Sequence, residues 1–413
     1  MVPNLLKPSQ LGEIPKDWKR VKLSDVMKVR QGLQIAISER LTSPTSTSKE
    51  YITIQSIKKT DQVREYVEAP SQRVICSKDD VLMTRTGNTG IVVTGVEGAF
   101  HNNFFLMDFD KNRINTTFLV NYLRSPRIQH LILTKAGAST IPDLNHKDFY
   151  SIEFPLAPIL EQQKIAKILS TWDKAISTTE RLIDNSTQQK KALMQQLLTG
   201  KKRLLDESGK PFAGEWESRL FKNILKLDRG SSPRPIVKYM TDSEDGVNWI
   251  KIGDTKGEGL YINSTKERIT KEGAEKSRKV FKGEVVLSNS MSYGKPYILN
   301  IDGYIHDGWF VIRKFEKNID VNFLIQILSS ELIQRQYKRL AAGGVVSNIS
   351  SELVYAVKIN LPSIPEQQKI ATVLTNADKE IELLKQQLAD LQQEKKALMQ
   401  VLLTGKKRVV DDD

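Results

Sequence analysis

Residues 161–203 read EQQKIAKILSTWDKAISTTERLIDNSTQQKKALMQQLLTGKKR, and residues 366–408 read EQQKIATVLTNADKEIELLKQQLADLQQEKKALMQVLLTGKKR. The stretches align without a gap at an offset of 205 and agree at 24 of 43 positions, which marks an internal duplication. Identities cluster in EQQKIA, in the pairs Asp173-Lys174 and Asp378-Lys379, and in KKALMQ with LLTGKKR.

Both stretches carry a helical seam. In the second copy Ile370, Leu374, Ala377, Ile381, Leu384, Leu388, Leu391, Lys395, Leu398 and Leu402 follow a spacing of four and three, a heptad seam. The first copy answers with Ile165, Leu169, Trp172, Ile176, Thr179, Ile183, Ser186, Lys190, Leu193 and Leu197. Lys190 and Lys395 fall at the same step and are expected to snorkel outward near a helix end. Ser363 and Glu366 have capping-box spacing with Pro365 in the first turn, and Gly200 and Gly405 suit the position just past the helix. The Lys-Lys-Arg tails at 201–203 and 406–408 fit two accounts, complementation of the helix dipole and contact with DNA phosphates. A helix over 366–403 would run about 57 Å, or about 17 base pairs, and two such helices in one chain most simply pack on each other.

Working outward, the repeat extends upstream. His101 and His306 keep the 205 offset, as do Phe118 and Phe323. Trp18 lies fourteen residues before Gly32 and Trp216 fourteen before Gly230, here at an offset of 198. Each copy is therefore a divergent segment of mixed character followed by a well-kept helix. Strands are expected at 51–57, 81–84, 90–93 and 103–108, and at 247–252, 285–288, 297–301 and 309–313. Helices follow over 116–135 and 322–340. Small-residue stretches come next, and the turn-rich loops 84–90 and 288–294 hold polar side chains between strands.

The chain has 413 residues and a formal charge of +13, which favours a polyanionic partner. No apolar run reaches the length of a membrane span, and residues 1–18 carry no secretory pattern. The single cysteine, Cys76, fits a cytoplasmic setting. There is no GxxxxGK[ST], HExxH or CxxC motif and there are only four histidines, so no metal site and no catalytic centre of this chain's own is expected. His101 and His306 read as structural histidines at a strand edge.

The paired motifs carry a family resemblance. They are Trp18 to Gly32 with Trp216 to Gly230; DDVLMTRTGNTG (79–90) with GEVVLSNSMSYG (283–294); AGASTIPDLNHKDFYSIEFPLAPILEQQKIA (136–166) with AAGGVVSNISSELVYAVKINLPSIPEQQKIA (341–371); and the KKALMQ and LLTGKKR helix ends. In this order, and doubled, they resemble the specificity subunit of type I restriction–modification systems. The resemblance implies an α+β chain with a pseudo-twofold internal repeat. Two α/β target recognition domains, 1–154 and 204–361, would be joined by two long conserved helical regions, 155–203 and 362–413, packed as an antiparallel coiled coil. Each domain would read one half of a bipartite double-stranded DNA site. The helices would set the spacing and dock two methyltransferase subunits, with restriction–translocation subunits recruited through the complex. S-adenosylmethionine, ATP and magnesium would sit on those partners and no cofactor on this chain. The second loop lacks the Arg-Thr-Gly core of the first, so the two half-sites are expected to differ.

Candidate DNA contacts in the first domain are Arg30, Gln31, Arg85, Thr86, Asn88, Thr89, Ser139 and Thr140. In the second they are Arg229, Ser231, Ser232, Asn289, Ser290, Tyr293, Lys295, Ser347 and Asn348. Arginine can contact guanine bidentately and asparagine adenine. For partner docking the outward helix faces suggest Gln162, Gln163, Lys167, Gln367, Gln368 and Thr372. The competing readings are a DNA-modifying enzyme, a stand-alone two-headed DNA-binding protein, and a coiled-coil adaptor that binds no DNA.

Overall fold

The two heptad seams form two helices, Ile159–Leu197 and Ile364–Leu402, each 39 residues long. Every seam position in both copies is buried or half-buried. The computed structural model describes residues 6–9, 12–58, 63–137, 140–255, 259–290, 294–315, 317–340 and 349–409. The chain divides into two compact units, one made of residues 1–181 with 386–413 and the other of residues 182–385. Each unit thus takes one half of each long helix, and each is described by itself.

In the first unit the helix halves run antiparallel. Glu161, at the start of the first helix, accepts from Arg408 just past the end of the second, at 2.8 and 3.0 Å. Further along, Asp173 pairs with Lys395 at 2.6 Å. The second unit repeats the scheme with the copies exchanged. Glu366 accepts from Arg203 at 2.6 and 2.7 Å, and Asp378 accepts from Lys190 at 2.5 Å. These contacts correct two expectations. Lys190 and Lys395 do not snorkel; each is held across the seam with 16% of its side chain exposed. Glu366 does not close a capping box on its own helix, because its fully buried carboxylate is taken by Arg203. The arginines of the two tails are likewise spent on glutamates, while the lysines beside them are exposed.

Gly200 and Gly405 end the helices with φ of +70° and +67°. A Cβ at Gly405 would stand 2.4 Å from the Pro15 ring, and one at Gly200 3.3 Å from the Trp216 ring. Close approach and positive φ together demand glycine at these ends.

The first unit carries a four-stranded antiparallel sheet in the order Met27–Gln31, Phe104–Phe109, Val81–Thr84, Val92–Val93. A second sheet orders Tyr66–Val67, Lys49–Ile52, Gly98–Phe100, Ile75–Cys76. The second unit builds the same pair with five strands each, the strands equivalent to Met27–Gln31, Phe104–Phe109 and Val81–Thr84 being Leu225–Arg229, Trp309–Phe315 and Val285–Ser288. The core of the first unit is completed by Met399 and Leu402 of the second long helix and by Leu403 just past it. That of the second unit is completed by Leu197 at the end of the first long helix and by Leu198 just past it.

Several local expectations shift by a few residues. The strand expected over 51–57 stops at Ile52, because Thr53 and Ser56 exchange hydrogen bonds and start the short helix Ile54–Lys58. The strand expected over 247–252 stops at Ile250, where the Asp254 carboxylate accepts from the Lys251 N–H and starts a 3₁₀ turn. The helix expected over 116–135 is two helices, Thr116–Arg124 and Pro126–Ala136, since Pro126 has no N–H to continue the ladder. Its counterpart is also split, into Val321–Leu328 and Glu331–Leu340 at Ser329-Ser330.

If the seam pairs fix the alignment of the helices, Asp173→Lys in the full-length chain should lower stability by about 1–2 kcal/mol. Adding Lys395→Asp should recover most of that loss in a urea unfolding curve. Equal loss in the single and double variants would remove the pair from the account.

Candidate nucleic-acid interface

The polar loops after the central strands share one frame. In the first unit the Gly90 N–H donates to the Thr84 carbonyl at 2.8 Å, and the Ile91 N–H to Thr84 Oγ1 at 2.9 Å. In the second the Gly294 N–H donates to the Ser288 carbonyl at 2.7 Å, and the Lys295 N–H to Ser288 Oγ at 3.2 Å. Both closing glycines have positive φ. From outside, Gln129 Nε2 donates to the Gly90 carbonyl at 2.8 Å, and Gln334 Nε2 to Gly294 at 3.4 Å. The frame is duplicated; what it encloses is not.

In the first unit the loop is zipped to residues 142–144. The Gly87 N–H donates to the Pro142 carbonyl and the Leu144 N–H to the Arg85 carbonyl, at 3.0 and 2.9 Å. Arg85 Nη2 reaches both oxygens of Asp143 at 2.8 Å, and Thr86 Oγ1 donates to Asp143 at 2.5 Å. The Thr86 hydroxyl, followed by Arg85, holds the Asp143 carboxyl below its ordinary range. Asn88 and Thr140 are exposed beside this cluster. Thr89 is buried, its hydroxyl directed at the Arg85 and Pro142 carbonyls, so it braces the loop and faces no solvent.

Gln31 ends its strand at the same sheet edge and donates to the Asn102 carbonyl at 3.1 Å. Arg30 is committed on all three guanidinium nitrogens, Nε and Nη2 to Asp108 and Nη1 to the Arg73 carbonyl. Arg30 therefore stitches the sheet face, with three of its five N–H groups already engaged.

The corresponding edge of the second unit gathers around Asp307. Ser232 Oγ donates to its carboxylate at 2.9 Å, while Arg229 Nε and Asn289 Nδ2 donate to its carbonyl at 3.3 and 2.9 Å. Asn289 is 3% exposed, so it too is a brace and presents no amide outward. Arg229 is exposed, Ser231 donates to the Lys276 carbonyl, and Lys295 lies 5.3 Å from the Tyr297 ring centre. Ser290 is half-buried at the loop tip. Ser139, Tyr293, Ser347 and Asn348 lie outside the described residues.

The docking candidates split. Gln163, Lys167, Gln368 and Thr372 are exposed. Gln162 and Gln367 are fully buried and do not face outward. Gln162 accepts from the Asn115 N–H at 2.9 Å and donates to the Arg113 and Ala157 carbonyls at 3.0 and 2.8 Å. Gln367 repeats this with Asp320, Asn318 and Pro362 at 2.9, 3.0 and 2.8 Å. Each clips its long helix to the loop that leads into an earlier helix of the same unit, Thr116–Arg124 or Val321–Leu328.

Asp143 and Asp307 were not singled out by the sequence reading. Their signal lies in the fold, since only backbone zipping brings residue 143 to residue 86. The two repeated histidines are structural. Nδ1 of His101 accepts from the Asn103 N–H at 3.0 Å and Nδ1 of His306 from the Gly308 N–H at 2.7 Å, and burial holds both imidazoles below their ordinary range. The glycines fourteen residues after Trp18 and Trp216 cross just here. A Cβ at Gly32 would fall 2.0 Å from the Phe100 carbonyl oxygen, and one at Gly230 2.0 Å from that of His306. Among the described residues no cluster of potential metal ligands occurs, and no helix is long and apolar enough to cross a membrane.

The sequence matches the family described as type I restriction modification DNA specificity domain twice, over residues 15–185 and 214–393. It is similar to the type I restriction enzyme MjaVIII specificity subunit of Methanocaldococcus jannaschii, 27% identical, with 96% of this chain and 94% of that protein covered. Among solved structures, the type I restriction–modification S subunit from M. genitalium superposes with a TM-score of 0.58 at 15% identity, covering 97% of each chain. A chain from a structural study of complex assembly and conformational transition of the type I R-M system gives a TM-score of 0.59 at 17% identity, covering 95% of this chain and 99% of that one.

The buried and exposed glutamines make opposite predictions. Gln162→Ala should cost about 2–3 kcal/mol in thermal or urea unfolding, since it strands one buried N–H and two carbonyls. Gln163→Ala should leave the unfolding curve within about 0.5 kcal/mol of the parent.

Proposed function

The chain belongs to the type I restriction modification DNA specificity family, and from that premise we propose that each of its two units reads one half of a bipartite duplex site. The observation that carries this reading is the duplicated loop frame with divergent contents. Thr84, Gly90 and Gln129 answer to Ser288, Gly294 and Gln334, while Arg85-Thr86-Gly87-Asn88 gives way to a different filling. A frame kept while its filling changes is what two readers of different sequences need, because register on the duplex comes from backbone geometry and base choice from side chains.

The chain itself supplies recognition and no chemistry in this proposal. Methylation and cleavage fall to partner subunits, which would hold S-adenosylmethionine, ATP and magnesium. Two methyltransferase subunits would dock on the exposed helix faces that carry Gln163, Lys167, Gln368 and Thr372, and restriction–translocation subunits would join through them. The net charge of +13 supports a phosphate-facing surface. It also weighs against an adaptor that binds no DNA.

The test is to co-express the chain with its methyltransferase subunit and map methylated adenines in host DNA by long-read sequencing. A split motif is expected, with two short defined halves around a fixed gap. Inserting one heptad into each long helix, after residues 181 and 385, should keep both halves and widen the gap by about three base pairs, since seven residues add about 10.5 Å. A contiguous motif, or a gap that ignores the insertion, would overturn the assignment.

A further inference from the structure

The described arginines at the two sheet edges differ in how much of the guanidinium is already committed. Arg30 is engaged through all three of its nitrogens, and Arg229 is exposed with one weak bond to a carbonyl. Arg85 lies between these extremes. Only Nη2 is engaged, by Asp143, and nothing among the described residues accepts from Nη1. Its side chain is 17% exposed, and its guanidinium carbon lies 5.5 Å from the Phe105 ring centre. The Asp143 carboxylate and the Phe105 ring together restrain the guanidinium. The zipped backbone of residues 85–87 and 142–144 fixes its height.

An arginine so held pays little side-chain entropy on binding and presents a fork, Nη1 with the second Nη2 hydrogen, of the spacing that O6 and N7 of guanine accept. A phosphate contact needs no such orientation, and the adjacent Asp143 carboxylate would repel a phosphate. We infer that Arg85 reads a guanine in the half-site of the first unit and that Asp143 is its positioning residue. The inference rests on the half-site reading proposed above and deepens it to one base. It also assigns an asymmetry. The position equivalent to Arg85 in the second unit is Asn289, buried and bonded to the Asp307 carbonyl, so that unit takes no guanine contact from this place in the loop.

The experiment uses the full-length chain in complex with its methyltransferase subunit. Host methylation is mapped, and enrichment from a random duplex library is measured, for the parent, Arg85→Lys and Asp143→Asn. Arg85→Lys keeps the charge and the loop ion pair but cannot form the fork. It should lower the preference for guanine at one position of one half-site by about tenfold or more. Asp143→Asn should relax the same position while leaving the other half-site unchanged, and should raise affinity for random duplex because a negative charge is removed. A purely structural Asp143 would instead weaken binding to all sequences alike, and that outcome overturns the positioning role. An unchanged motif in Arg85→Lys, or a loss spread evenly over all bases, overturns the guanine assignment. A parent complex that yields no split motif sinks the half-site reading, and this inference with it. A split motif in the parent with unaffected variants sinks only the inference.

Discussion

The fold depends on two buried carboxylates that cannot stay where they are without a partner from the other copy. Glu366 is fully buried, and the side chain of Glu161 is 7% exposed. Leaving such a group without its counter-ion costs several kcal/mol. Each is neutralised bidentately by the arginine that follows the helix of the other repeat. The Trp18 indole N–H also donates to Glu161, at 2.9 Å. The helix ends are therefore locked in place, and Leu402 and Leu403 are delivered into a core built mainly from residues between Trp18 and Leu169, remote from them in sequence. The pairs are weaker evidence for stability than for placement, since a buried ion pair gains little over an apolar contact of equal shape.

The loop edge proposed to read DNA inherits its rigidity from the same logic on a smaller scale. Tyr150 and Tyr355, one repeat apart, accept the backbone N–H groups of Val29 and Leu227 at 2.9 Å and pin the strands that lead to Gly32 and Gly230. Those glycines permit a backbone crossing that a side chain would block. The loops can therefore vary in content while their anchor points stay fixed, which is the arrangement a reader of changing sequence requires.

Much of this was legible in the chain because duplication acts as its own control. Both long helices, their glycine ends, the paired central strands and the family followed from periodicity and repeated motifs. What escaped were partners remote in sequence. The heptad pattern marks Lys190 and Lys395 as polar seam residues, but nothing local says that Asp378 and Asp173 stand opposite. The EQQ motif sits where a solvent-facing turn is a natural reading, yet its first glutamine is fully enclosed in both copies. In the loops, residue type suggested base contacts for Thr89 and Asn289. Hydrogen-bond supply decided otherwise, because the tight frame leaves carbonyls that only those side chains reach.

The seam charges also explain why two related helices adopt this pairing over the alternative. Homologous positions are 205 residues apart, so a parallel alignment in register would set Glu161 against Glu366, Asp173 against Asp378, and Lys190 against Lys395. Every one of those is a like-charge contact at or beside an apolar seam. Reversing one helix turns the same residues into opposite-charge pairs, Glu161 with Arg408, Asp173 with Lys395, Asp378 with Lys190 and Glu366 with Arg203. The apolar positions alone would tolerate both directions, since leucine and isoleucine recur in each copy at the same steps. Direction is carried by a few charged residues that contribute little net stability and exclude the wrong arrangement. Their retention in both copies, while the helix middles between them have diverged, matches that division of labour.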